Sequence, residues 1–76
     1  MTKTLEYVEH NRYGARRKVF NIDDINNEDC TIRVSSSYYP TQVITFTDRK
    51  NFEQLIRCGY TFVVCWGDVN EYIIKN

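Results

Sequence analysis

The sequence predicts an α+β domain: a small, mainly antiparallel sheet of five to six strands, in the order β-β-β-β-α-β-β, with one α-helix packed on one face. Three observations lead there. Isoleucine, valine and threonine each occur seven times, against one alanine and two leucines, and side chains branched at Cβ fit a pleated strand better than a helix. Most of the chain alternates with period two between clusters of Asn, Asp, Gly and Ser. Only the stretch after Phe46 shows helical spacing, and it lies inside the segment 44–66 (ITFTDRKNFEQLIRCGYTFVVCW) that reads as strand, helix, strand.

Taken in order, residues 4–10 set Leu5, Tyr7 and Glu9 against Glu6, Val8 and His10, as a strand does. Asn11-Arg12-Tyr13-Gly14 has turn chemistry, because Asn and Gly tolerate positive φ. Residues 15–22 return as a second strand, but Val19 and Phe20 are adjacent, which implies a bulge or a switch of faces. Residues 23–29 (DDINNED) read as a polar loop around Ile25. Residues 31–34 form a third strand with Ile32 and Val34 inward. Residues 35–40 (SSSYYP) connect it to a fourth, 42–47, with Ile44 and Phe46 inward.

In the helix, Thr47 or Asp48 supplies the capping oxygen for a free backbone N–H of the first turn. Phe52, Leu55, Ile56 and Gly59 fall on one side, and Arg49, Lys50, Glu53, Gln54 and Arg57 lie away from it. Gly59 stands where a left-handed residue ends a helix, and Arg57 puts positive charge near the negative end of the dipole. So short a helix depends on packing rather than propensity.

After Gly59, Tyr60, Phe62, Val64 and Trp66 alternate with Thr61, Val63 and Cys65. Both sets are largely apolar, which predicts a central strand covered on both faces, with Phe62 and Val63 shielded from opposite sides. One helix covers one face. The other needs the N-terminal hairpin folded over it, or another molecule. A turn at Gly67-Asp68 precedes a last strand over residues 71–75.

A chain of 76 residues is a single domain, residues 1–76, and buries only roughly 60–65% of the surface its unfolded form exposes, so its stability is marginal. The net charge is zero. That argues against non-specific nucleic-acid binding by a basic excess and against mimicry of DNA by an acidic surface. No apolar run reaches the length of a membrane span or marks a signal peptide, and Cys30, Cys58 and Cys65 are odd in number. A cytoplasmic protein with reduced thiols is the expectation, without membrane association.

Candidate chemistry is weak. Cys30, Cys58, Cys65 and His10 supply zinc-ligand atoms, but no pair has the close C-x₂₋₄-C spacing. A Cys–His nucleophile built on Cys58 or Cys30 with His10 lacks an oxyanion loop. The carboxylates Asp23, Asp24, Glu28 and Asp29 lack the glycine and terminal glutamate of a calcium loop. No enzyme activity, metal or cofactor is expected. Two surface features stand out instead. Arg16, Arg17 and Lys18, with Arg12 and Tyr13, place cations and an aromatic on the first hairpin, where they suit phosphates and bases. Tyr38 and Tyr39 are adjacent in an extended connection, so at least one faces outward, and tyrosine is enriched at interface hot spots.

The expected function is therefore a small non-enzymatic binding protein, an inhibitor or adaptor that occludes a protein or ribonucleoprotein complex through Tyr38, Tyr39, Tyr13, Arg16, Arg17 and Lys18. The short, Asn- and Tyr-rich, Ala-poor composition has the general look of phage and mobile-element proteins that block host defence complexes. The alternative is a small nucleic-acid-binding regulator using the basic hairpin. Self-association into a homodimer or larger homo-oligomer is the further expectation from a two-sided apolar strand.

Overall fold

In the computed structural model, which describes residues 3–76, the elements are β1 (Thr4–Asn11), β2 (Gly14–Asn26), β3 (Thr31–Ser35), β4 (Gln42–Thr45), α1 (Arg49–Cys58), β5 (Tyr60–Cys65) and β6 (Asp68–Lys75). The six strands form one antiparallel sheet in the order β4-β3-β2-β1-β6-β5. The α+β class and the single helix between the fourth and fifth strands are as the sequence predicts.

Register decides which side chains reach the helix. Leu5 lies opposite Phe20 on β2 and Ile74 on β6, and Tyr7 opposite Lys18 and Tyr72. Directly opposed residues share a face. This face therefore carries Leu5, Phe20, Ile32 and Val34, which with Phe46, Phe52 and Leu55 make the core. Thr61, fully buried beneath the helix, donates its hydroxyl to Gln54 Oε1 at 3.3 Å.

The helix forms as its caps dictate. Asp48 accepts from the Lys50 N–H at 2.9 Å, and Gly59 ends it at φ +76°, donating its N–H to Leu55 O. Ile56 remains partly exposed. Arg49 reaches back from the first turn, and its guanidinium donates to the carbonyls of Asn27 and Glu28 at 3.1 and 2.9 Å. That ties the helix to the β2–β3 turn.

Two local expectations are corrected. Asp23, Asp24 and Ile25 belong to β2, and the turn proper is short. Asn26 Oδ1 organises it by accepting from the backbone N–H of Glu28 and Asp29. Val19 and Phe20 need no bulge, because Phe20 is buried under the helix layer and Val19 is exposed on the other face. The irregularity falls instead between Ile22 and Asp24.

The larger correction concerns β5. It is an edge strand, and Phe62 is 47% exposed, while Val63 packs partly against the core. The N-terminal hairpin does not fold over the second face, since β1 and β2 are the two middle strands of the sheet. The molecule measures 34 × 29 × 19 Å. Its shortest dimension holds a sheet and one layer of helix, with layers spaced about 10 Å apart, and the described residues form no third layer. Val19, Val64 and Ile73 share the uncovered face with Phe62, as does Val8, which its neighbours on the sheet keep buried. On the same face Glu6 receives Lys75 at 3.0 Å and Arg17 at 4.0 Å.

Candidate partner-binding surface

The connection between β3 and β4 is held in one shape by Ser36. Its Oγ accepts from the backbone N–H of both Tyr38 (3.1 Å) and Tyr39 (2.9 Å), a local turn that side-chain hydroxyls make readily. The two tyrosines then diverge. Tyr38 is 90% exposed. Tyr39 lays its ring against Phe20, centroids 5.5 Å apart, and the Lys18 ammonium stands 5.0 Å from the centroid of the Tyr39 ring. That contact places a cation over an aromatic face.

Beside Tyr39 the helix-bearing face is open. The ten-residue helix packs chiefly on β5 and β6, so part of the face over the other strands stays uncovered. The result is a shallow groove of about 270 Å³ lined by Tyr7, Lys18, Phe20, Gln42, Ile44 and Tyr72. The Tyr7 and Tyr72 rings are 5.3 Å apart. Burial, and secondarily Tyr7, pushes the Tyr72 phenol up to about 12. Burial raises Tyr7 too, helped by the charges of Glu9 and Asp68. Both phenols therefore stay protonated at neutral pH and keep a hydroxyl to donate. The groove offers two hydroxyls, an amine, an amide and an aromatic wall, which suits polar recognition on an apolar floor.

The six residues singled out from sequence fall in three places. Tyr38, Tyr39 and Lys18 come together. Arg16 shares the face of Lys18 by alternation along β2, but Arg17 turns to the opposite face and approaches Glu6. Tyr13 sits at the tip of the β1–β2 hairpin, with the Arg12 guanidinium 5.7 Å from its ring centroid, and its N–H donates to Asn11 Oδ1. The basic run is thus two separated half-patches, because a strand sends consecutive side chains to opposite faces.

Among the described residues, no three His, Cys, Asp or Glu side chains stand close enough to hold a metal ion. Cys30 is buried, whereas Cys58 and Cys65 are exposed. His10 pairs through Nε2 with Glu71, which also accepts from the Tyr60 hydroxyl at 2.8 Å. These two contacts, Tyr60 first, hold the Glu71 carboxyl below its ordinary range.

Sequence reasoning missed Gln42, Tyr7 and Tyr72 as groove residues, because β4, β1 and β6 come together only through the strand order of the whole sheet. It also set Trp66 on a strand face. Trp66 is the first residue of the two-residue β5–β6 turn, at φ +55° and 99% exposed. The Gly67 that follows was the available signal, since a type I′ hairpin turn, which Trp66 and Gly67 form, needs positive φ at both positions.

Comparison with known protein families, curated proteins and solved structures returns no match. Among the described residues no helix is long and apolar enough to cross a membrane.

Proposed function

We propose that this chain is a non-enzymatic binding protein that occludes or bridges a macromolecular partner through the Tyr38–Tyr39 turn and the groove beside it. The observation that carries the reading is the preorganised tyrosine pair. Ser36 fixes the backbone, Tyr39 anchors on Phe20 and Lys18, and Tyr38 is held out into solvent. A rigid aromatic of this kind offers contact area at low entropic loss on binding, and loops ordered in advance bind more tightly for that reason. A protein or a ribonucleoprotein complex suits such a surface. An inhibitor of a host defence complex, in a phage or mobile element, is the narrower form of the same proposal and is supported by composition alone.

The competing nucleic-acid reading loses support from the division of Arg16 and Lys18 from Arg17, which leaves no continuous basic stripe. The two readings separate in one experiment. Tagged chain is used to capture binders from native-host lysate, with and without nuclease, at low and moderate salt. A protein-centred interface retains its partner after nuclease and at moderate salt, and Tyr38→Ala releases it while Lys18→Ala only weakens it. Binding that disappears with nuclease, or collapses steeply with salt for wild type, refutes the proposal in favour of phosphate contacts.

A further inference from the structure

The edge strand β5 is unguarded, and its free backbone groups have a definite pattern. Ile74 donates its N–H to Gly59 O at 2.9 Å, and these two residues lie in the register of the β5–β6 pair. In an antiparallel ladder, residues that exchange hydrogen bonds alternate with residues whose N–H and C=O point the other way. Gly59, Thr61, Val63 and Cys65 therefore face β6. The backbone groups of Tyr60, Phe62 and Val64 point outward from the sheet, with no strand among the described residues to receive them.

Natural sheets protect such edges with lysine, proline, bulges or short strands. The opposite edge, β4, is four residues long and follows Pro40. Strand β5 has six residues, regular pairing and no charged side chain between Arg57 and Asp68. The side chains of Tyr60, Phe62 and Val64 all stand on the uncovered face and are all exposed.

We infer that β5 is the interface for a second copy of this chain, the two β5 strands pairing antiparallel about a two-fold axis at Phe62. Only registers that oppose outward-facing residues complete the ladder. The symmetric one centred on Phe62 sets Phe62 against Phe62 and Tyr60 against Val64 of the other copy. Aromatic pairs and aromatic pairs with β-branched residues are the favourable cross-strand combinations. Charge agrees with the direction: Arg57 lies in the last turn of α1, just before the strand, and Asp68 opens β6 opposite Cys65, at the strand's far end. Antiparallel pairing brings each toward its opposite in the second copy, and parallel pairing would bring like to like. A two-fold interface must be self-complementary in this way. The Tyr38–Tyr39 turn lies at the other edge of the sheet, so the dimer leaves both of its tyrosine turns free.

The test is sedimentation equilibrium of the full chain under reducing conditions, from micromolar to millimolar, with parallel emission spectra of Trp66, the only tryptophan. Wild type should pass from monomer to dimer with rising concentration. Its emission should shift to the blue as the tip of each β5 hairpin approaches the other copy. Phe62→Lys and Phe62→Glu should each stay monomeric with unchanged circular dichroism, because each sets like charges face to face on the axis. A one-to-one mixture of the two variants should recover a heterodimer. A wild-type monomer throughout, a dimer only in the absence of reductant, or a dimer that both variants retain would overturn the inference. So would a mixture that fails to associate while wild type does.

Discussion

Leu55 and Phe62 test the one-sided architecture directly, because they belong to opposite sides of the sheet. Leu55 is fully buried between helix and sheet, and Phe62 keeps 47% of its surface in solvent. Truncating a buried leucine to alanine costs about 3–5 kcal/mol, from lost transfer free energy and from the cavity left behind. A fully buried phenylalanine costs a similar amount, but Phe62 is only half buried. Water also fills the space its ring leaves on an open face, so no cavity is added. Phe62→Ala should cost about 1–2 kcal/mol, the buried half of the full Phe→Ala range less the cavity share of that half.

A domain of this size is stable by roughly 4–11 kcal/mol. Leu55→Ala thus removes a large part of its stability, and Phe62→Ala a small part. The assay is urea denaturation followed by far-ultraviolet circular dichroism at low micromolar concentration, where β5 is unpaired. With a slope of about 1 kcal/mol per molar urea, the midpoint should fall by about 3 M or more for Leu55→Ala and by about 1–2 M for Phe62→Ala. Complete unfolding of Leu55→Ala agrees with the reasoning. Equal losses, or a greater loss from Phe62→Ala, would show that a second layer covers β5 within one chain and would refute the open face.

Two further outcomes follow from single positions. Gly59 ends the helix at φ +76°, and a Cβ there would meet Ile74 O at 3.4 Å, a close but tolerable contact. Gly59→Ala should therefore lose about 1–2 kcal/mol, chiefly from left-handed backbone strain, and Gly59→Asn less, as thermal melting would show. Tyr72 ionises near 12 in the folded chain against 10.0 ordinarily. A folded pKa raised above the unfolded one gives stability that is present below the unfolded value and lost as pH rises. Denaturation midpoints should consequently fall between about pH 10 and 12, and Tyr72→Phe should flatten that part of the profile. An unchanged slope in that variant would contradict the burial of the phenol.

Several elements are legible in the amino-acid sequence. Asp48, Phe52, Leu55 and Gly59 announce the helix by cap, spacing and stop, and the chain folds them as announced. Ile32 and Val34 read as core from alternation alone and are fully buried. The candidate site was legible in part. Adjacent tyrosines in a serine-rich connection signal an exposed aromatic, and Ser36 supplies the lock. The groove beside them was not legible, because Tyr7, Lys18 and Tyr72 converge only once β6 pairs with β1.

What the amino-acid order determined by itself is local: where the backbone turns, where it coils, and which side of each strand is apolar. Those follow from dihedral preference and side-chain period, and both act within a few residues. Whether an apolar strand lies in the middle of a sheet or at its rim depends on which distant strand it meets. By composition Phe62 has a stronger claim to burial than Thr61. Only the pairing order β4-β3-β2-β1-β6-β5, with its single helix, hides Thr61 and leaves Phe62 in water.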